Sequence, residues 1–448
     1  MSFTQKYSDW FRRILPSPFS IAILLTIVTL LLTVFVSDKS TSELVVAWQE
    51  GLWSIDLLAF AFQMMLMLVL GHTLALSSFF DTLITWLVKP ISTTAQAAAI
   101  VTFTTIVVAF FNWGLGLIFG AILARKLGES FTKKQLPLNY PLIGASGYVG
   151  LMVWHGGISG SALTKVAESG HLRSIGHSTS LPEAIYYGDT VFSSMNLTAF
   201  ASLLIFIPAI FYLLGKQVKA EVPKIKSVVV NSAQSSHLIG MEKLDQSSMV
   251  SKTIGILMVG FAGYLAIRFE GPFLGYITPN YINFSLLALC LLLHTNFSSF
   301  LNAIDDAIKG SSGILIQFPL YFGILALMQS GGLIALISNW FIAVSTANTL
   351  PLFTFFSAGI VNIFVPSGGG QWAIQGPILL EAATKLSVPL PKMILAMAYG
   401  DQLTNMLQPF WALPLLSITG LKAKEILPFT LILFLLGLLI FVGVLMVF

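Results

Sequence analysis

Cysteine is all but absent. The one residue, Cys290, lies inside an apolar run of a 448-residue chain, so no disulfide framework can staple the fold. Charge is nearly as scarce: Asp, Glu, Lys and Arg make up 9% of the residues, against roughly 25% in soluble domains. The net +4 names no partner, and no nucleic-acid partner is expected. The motifs G-x-S-x-G, H-E-x-x-H and G-x-G-D are missing, which removes the usual signatures of hydrolytic chemistry.

Apolar residues fill 56% of the chain and the mean hydropathy is +0.86, so the protein is polytopic in a membrane. Runs of spanning length occupy about 19–36, 55–76, 140–166, 186–214, 252–269, 281–296, 312–329, 391–419 and 425–447. The first is longer than a signal-peptide core and ends in Asp38-Lys39 with no small-residue cleavage site, which predicts an uncleaved span. Two further regions, about 92–127 and 349–385, are interrupted by polar, glycine-rich turns at 112–116 and 362–371. Neither half of either region is comfortably long enough to cross, so each is expected to enter and leave on one side as a re-entrant hairpin. Nine crossings with a cytoplasmic N-terminus put six basic residues outside (Lys39, Lys165, Arg173, Arg268, Lys385 and Lys392) and leave 17 of the 23 inside. The opposite orientation inverts that bias.

The two halves of the chain echo each other. Gln63 and Trp86 match Gln317 and Trp340 at an offset of 254, and Asn112 matches Asn362 at 250. Each half reads span, span, surface helix, hairpin, broken helix, span; the surface helices are the amphipathic stretches Phe79 to Lys89 and Gly332 to Val344, whose tryptophans suit the headgroup level. Five crossings separate the starts of the two units, an odd number, so the expected fold is an all-α polytopic membrane protein of two inverted repeats, each with a re-entrant hairpin and a discontinuous helix. Residues 1–214 form the first repeat (hairpin about 92–127, broken helix about 140–166). Residues 215–251, rich in Lys, Ser and Gln, form a cytoplasmic linker. Residues 252–448 hold an extra span and the second repeat (hairpin about 349–385, broken helix about 391–419).

The most informative stretch is NIFVPSGGGQWAIQ, Asn362 to Gln375. Pro366 and three consecutive glycines argue that the helix coming from Thr354 stops near Val365 and resumes at about Trp372. Two half-helices facing such a turn offer free N–H groups and free carbonyls, which suits an anion and a cation together. Four interruptions, two per repeat, are expected to converge on one polar cavity: the hairpin tips, WHGGISGS at 154–161, and DQLTNMLQP at 401–409, where Pro409 unwinds the helix. The candidate substrate-binding residues are Asn112, Gly114 and Gly116 in the first tip; His155, Gly156, Gly157, Ser159, Gly160 and Ser161 in the first break; Asn362, Ser367, Gly368, Gly369, Gly370 and Gln371 in the second tip; and Thr404, Asn405 and Gln408 in the second break. Asn112 and Asn362 are expected at equivalent tips, and either can instead be a plain helix cap. Asp401 lies about ten residues into its span, where an unpaired charge is costly, and is the candidate for carrying a coupling proton or ligating Na⁺, with a Na⁺ site near Asn112, Asn362 and Asp401 as one arrangement. Its bland alternative is a structural partner such as Thr404 or a buried amide. Asp189 is read as a helix-end residue near the outer surface. For His155 a pH-dependent role and a neutral ring satisfied by a backbone carbonyl both stand. Glu381 and Lys385 read as an i, i+4 surface pair. No arginine lies at the breaks, so a carboxylate would be held by N–H groups, hydroxyls and amides, which favours small monoanions.

The blocks FNWGLGLIFGA (111–121), GGISGS (156–161), YGDTVFS (187–193), VPSGGGQWAIQGP (365–377) and AYGDQLTNMLQPFWALP (398–414) are spread over the chain, and together they resemble the bacterial short-chain fatty acid transporter family, within the wider ion-transporter superfamily. The resemblance implies uptake of acetoacetate- or butyrate-like monocarboxylates across the inner membrane by cation symport, with no cofactor beyond H⁺ or Na⁺. It also implies a homodimer in the bilayer whose hairpin-bearing unit moves as an elevator against a fixed scaffold. The rival readings are a transporter or channel for another small organic anion, and an intramembrane hydrolase using Asp189 with Asp401 or Ser159 with His155.

Overall fold

The computed structural model describes residues 18–176, 181–223, 225, 240–271, 274–309, 312–364, 366–408 and 411–448. Among these residues the chain is helical, with a single isolated bridge between Leu138 and Glu221 in place of any sheet. The expected cytoplasmic N-terminus and residues 224 and 226–239 of the expected linker lie outside the described residues. What is described at the linker's edges is helix running through Gln217, a short helix Glu242–Asp245, and a new helix from Ser248.

Among the described residues five helices are long and apolar enough to cross a membrane: Ile55–Ala75, Thr94–Phe111, Ser194–Gln217, Ser248–Arg268 and Ala423–Val447. Pro18–Val36, Pro279–Leu293 and Ser312–Ser330 fall on the remaining runs. Their threonines rarely leave a hydroxyl bare: Thr26, Thr33, Thr73, Thr102 and Thr104 each donate to a carbonyl one turn back, the usual way an apolar helix tolerates them. The surface helices form as expected at Ser78–Val88 and Leu333–Val344, with Trp86 and Trp340 exposed. Two amphipathic helices are new, Thr41–Leu52 and Phe297–Ile308, each between two spans. The first starts in a capping box, in which Ser40 and Glu43 each bond the other's backbone N–H.

The first hairpin consists of Thr94–Phe111 and Trp113–Lys134, and here the expectation that its arms are too short needs correcting. They are 18 and 22 residues, about 27 and 33 Å. The chain nevertheless turns back at Asn112, which has extended backbone (φ −149°, ψ 127°) and is fully buried. The turn is tight because Gly116 lies against Ala109, where a Cβ would approach to 2.5 Å. The second hairpin, Leu350–Phe364 and Gly368–Lys385, overturns a different expectation. The helix begins at Gly368, so the three glycines form its first turn and are not the gap before it. Packing compensates for their poor propensity: Phe60 and Phe318 press on Gly369 and Tyr321 on Gly370. On the outer arm Glu381 and Lys385 pair at 2.7 Å, and Lys385 also donates to Asn339 of the neighbouring surface helix.

Both long segments after the hairpins are broken. The first runs Tyr140–Tyr148, a 3-10 turn Val149–Met152, an irregular stretch, and then the short helix Ser161–Val166. The second stays helical through Thr404, tightens at Asn405–Leu407, and resumes at Leu413–Thr419. Its break therefore starts four residues later than expected, since nothing from Asp401 to Thr404 disrupts a helix; Pro409 lies outside the described residues. The helix after the first break begins only at Ser194, capped by Ser193, so Asp189 sits in an exposed turn before it.

Candidate functional site

The first tip and first break are joined at the backbone. Asn112 caps its outgoing helix by accepting from Leu115 N–H (2.8 Å). The next N–H, of Trp113, donates to Ser159 Oγ at 2.9 Å, and Ile158 N–H donates to the Phe110 carbonyl at 2.7 Å. Gly157 makes this approach possible, because a Cβ there would lie 2.5 Å from that carbonyl oxygen. Trp154 stacks on His155 with centroids 4.5 Å apart, and Trp113 packs edge-on against Trp411 at 5.3 Å.

At the second tip the cap is Ser367, whose Oγ accepts from Gly370 N–H at 3.3 Å. Asn112 therefore corresponds to Ser367, and the expected equivalence with Asn362 fails. Asn362 lies within the incoming helix, where its amide NH₂ faces the Asp401 carbonyl (2.8 Å), Thr404 Oγ1 (2.9 Å) and Asn405 Oδ1 (3.1 Å). Its own carbonyl accepts from Gln408 (3.1 Å), and Trp411 Nε1–H donates to the Pro366 carbonyl (3.0 Å), so the second tip is bound to the second break. The N–H groups of Gly368 and Gly369 find no partner among the described residues, as expected of a helix start. Gly368 faces Trp154 and His155.

The two breaks meet in a buried hydrogen bond between a histidine and a carboxylate. His155 Nδ1 and Asp401 Oδ2 are 2.5 Å apart, and their side chains are 0% and 1% exposed. The other ring nitrogen, Nε2, accepts the N–H of Ala162 at 3.1 Å, so it cannot carry a proton. The contact fixes a neutral imidazole with its proton on Nδ1, donated to the carboxylate. The partners differ from those named for each residue: the histidine is bonded to a carboxylate in place of a backbone carbonyl, and the aspartate to a histidine in place of Thr404 or an amide. Asp401 Oδ1 is buried and has no hydrogen-bond partner among the described residues. A buried carboxylate oxygen in that condition is costly unless a cation or proton meets it.

His155, Asp401, Asn362, Thr404, Asn405 and Gln408 thus form one hydrogen-bonded network, Asn112 and Ser159 sit where the first tip meets the first break, and Ser367 caps the helix whose first glycine faces His155. Gly114 and Gly116 face elsewhere, toward Leu68 and Ala109, and Gly160 accommodates the carbonyl of His155. Gly156 faces Asn196. Ser161 is buried at the start of its short helix. Gln371 Nε2 donates to the Ala358 carbonyl and to Gln375, leaving its Oε1 buried and unpartnered among the described residues. Sequence reasoning missed Gln402, whose Oε1 accepts the N–H groups of both His155 (2.9 Å) and Gly156 (3.0 Å), although it adjoins Asp401. It also missed Asn196, which donates to the Gly156 and Val191 carbonyls and accepts from Tyr399. Three residues into its helix, Asn196 carried no signal beyond that of a capping amide.

Neither hydrolase pairing is assembled. Asp189 is exposed while Asp401 is buried, and the Ser159 hydroxyl accepts from Trp113 while both His155 nitrogens are engaged elsewhere.

This is the fold of a polytopic membrane transporter. The Alcanivorax borkumensis YdaH transporter superposes with a TM-score of 0.61 at 14% identity, over 95% of this chain and 98% of that one. MtrF of Neisseria gonorrhoeae, described as one of a class of antimetabolite efflux pumps, superposes at 0.57 and 11% identity, over 100% and 97%. The chain itself belongs to the short chain fatty acid transporter family, whose model matches residues 2–448. Two relatives carry the name "Putative short-chain fatty acid transporter". One, from Escherichia coli (strain K12), is 36% identical over 94% of this chain and 93% of that protein. The other, from Haemophilus influenzae (strain ATCC 51907 / DSM 11121 / KW20 / Rd), is 36% identical over 93% and 92%.

Proposed function

We propose that this protein takes up short-chain monocarboxylates of the acetoacetate or butyrate type across the inner membrane, each with one H⁺ or Na⁺. Family membership supports the substrate class. The observation that carries the mechanism is the buried His155–Asp401 pair at the meeting point of two breaks and two helix starts. The unpartnered Asp401 Oδ1 would take the cation. The N–H groups of Gly368 and Gly369, which begin a helix of more than four turns and have no partner among the described residues, would hold the carboxylate without an arginine. The cation neutralises Asp401, whose charge would otherwise repel the carboxylate, so the two ligands favour each other's binding. Because the second tip is hydrogen-bonded to the second break, and the first tip to the first, the hairpins and broken helices would travel together, in keeping with an elevator motion of a unit within a homodimer.

Purified protein in liposomes is expected to accumulate labelled butyrate or acetoacetate above its external concentration when an inward ion gradient is imposed. Accumulation driven by a pH difference in Na⁺-free buffer identifies H⁺, and a strict Na⁺ requirement identifies Na⁺. Equilibration without accumulation under either gradient would mean a channel and sink the proposal.

A further inference from the structure

The amphipathic helix Ser78–Val88 separates two recesses of opposite character. One, of about 440 Å³, is lined by Thr85, Lys89, Lys126, Ser130, Lys133 and Lys134. Lys126 is paired with Asp81, and the nearby Glu129 is engaged by Arg125. Lys89, Lys133 and Lys134 are exposed and have no carboxylate partner among the described residues, so the recess keeps an uncompensated positive charge. The other recess, of about 1010 Å³, is apolar and is walled by Trp86, Leu87, Ile100, Phe103 and Pro208. Lys89 borders both. Trp86 is 69% exposed and Phe103 47%, an apolar surface that lipid chains cover in a bilayer.

We propose that these two recesses form one binding site for an anionic phospholipid, with the phosphate among Lys89, Lys133 and Lys134 and an acyl chain between Trp86 and Phe103. A cation cluster and an apolar groove with one lysine, Lys89, on the shared rim match the two halves of such a lipid. A basic pocket beside membrane helices is the expected receptor for its headgroup. A zwitterionic lipid fits the groove equally well but is repelled at its choline end by the same three lysines. The partner is therefore selected by charge. Bound there, the lipid would brace the amphipathic helix Ser78–Val88 against both arms of the first hairpin, since the recesses draw residues from both.

The test uses the full-length protein in detergent, with cardiolipin, phosphatidylglycerol and phosphatidylcholine added separately. Lipid retention is read by native mass spectrometry and stability by thermal unfolding. Cardiolipin and phosphatidylglycerol are expected to be retained and to raise the unfolding temperature, and phosphatidylcholine is not. The triple variant Lys89→Gln/Lys133→Gln/Lys134→Gln, confined to exposed side chains, is expected to bind cardiolipin on the order of 100-fold more weakly. The variant Lys243→Gln/Lys424→Gln, which removes exposed charges elsewhere, should bind as the parent does. Equal stabilisation by all three lipids, unchanged affinity in the triple variant, or the same stabilisation by inorganic phosphate alone would each overturn the proposal.

Discussion

Asp401→Asn should abolish gradient-driven accumulation while leaving the protein folded. An asparagine places its carbonyl oxygen where Oδ2 now accepts the His155 Nδ1 proton, so the 2.5 Å contact keeps a donor and an acceptor. The Ala162 N–H at Nε2 prevents the ring from changing tautomer in response. Only the negative charge is lost, and with it the attraction of Oδ1 for a cation. Uptake at a fixed gradient should fall at least about 100-fold, equivalent to about 2.7 kcal/mol of coupling, while the yield of monodisperse protein and its unfolding temperature stay near those of the parent. Normal accumulation by this variant would remove Asp401 from the coupling scheme. Aggregation of the variant would show that the charge serves the fold, and the same assay distinguishes the two outcomes.

Gly400→Ala should be among the most damaging single changes to stability. Glycine to alanine inside a helix ordinarily stabilises by about 1 kcal/mol in water. Here the sign reverses, because a Cβ at Gly400 would overlap the carbonyl oxygen of Phe355 and lie 2.9 Å from the Phe355 carbonyl carbon and from Ala358 Cβ. The obstruction is backbone, which cannot rotate away as a side-chain tip can. The helices Leu350–Phe364 and Leu390–Thr404 would have to separate, pulling Asn362 from its partners. We expect a loss of about 2–3 kcal/mol and, in consequence, loss of transport. Gly443→Ala is the control, since nothing lies within 4 Å of a Cβ there, and it should unfold at the parent's temperature or slightly above. Equal unfolding temperatures for Gly400→Ala and the parent would refute the close packing of these two helices.

Much of this architecture could be read from the residues. Apolar runs located the spans, because a bilayer demands length and hydropathy and little else. The four interruptions were visible because proline, glycine and amides are conspicuous against leucine. Their convergence, however, joins residues such as His155 and Asp401 that are 246 positions apart, and only repeat symmetry hinted at it. Local detail failed where tertiary contacts override propensity. Gly368 to Gly370 open a helix packed so closely on Trp154, His155, Phe60, Phe318 and Tyr321 that nothing larger fits, and no local signal in the sequence reveals those neighbours. The choice of cap at the second tip turned on Ser367 lying immediately before a helix that was expected to start four residues later. Thr41–Leu52 is short and mixed in polarity, so no long apolar run marks it, although the capping box at Ser40 and Glu43 signals its start.

The hydrogen bond from Ala162 to the imidazole has a further consequence for energy conversion. A ring whose Nε2 accepts the Ala162 N–H has no room there for a second proton, so the proposed mechanism places its cation at Asp401 Oδ1, which is unpartnered among the described residues, and takes one cation per turnover. On that proposal one cation enters with each monovalent anion, so a complete uptake cycle moves no net charge. A potassium diffusion potential imposed with valinomycin, in the absence of any gradient of the coupling ion, should therefore drive no accumulation. Accumulation that follows the voltage would require a second charge-bearing group.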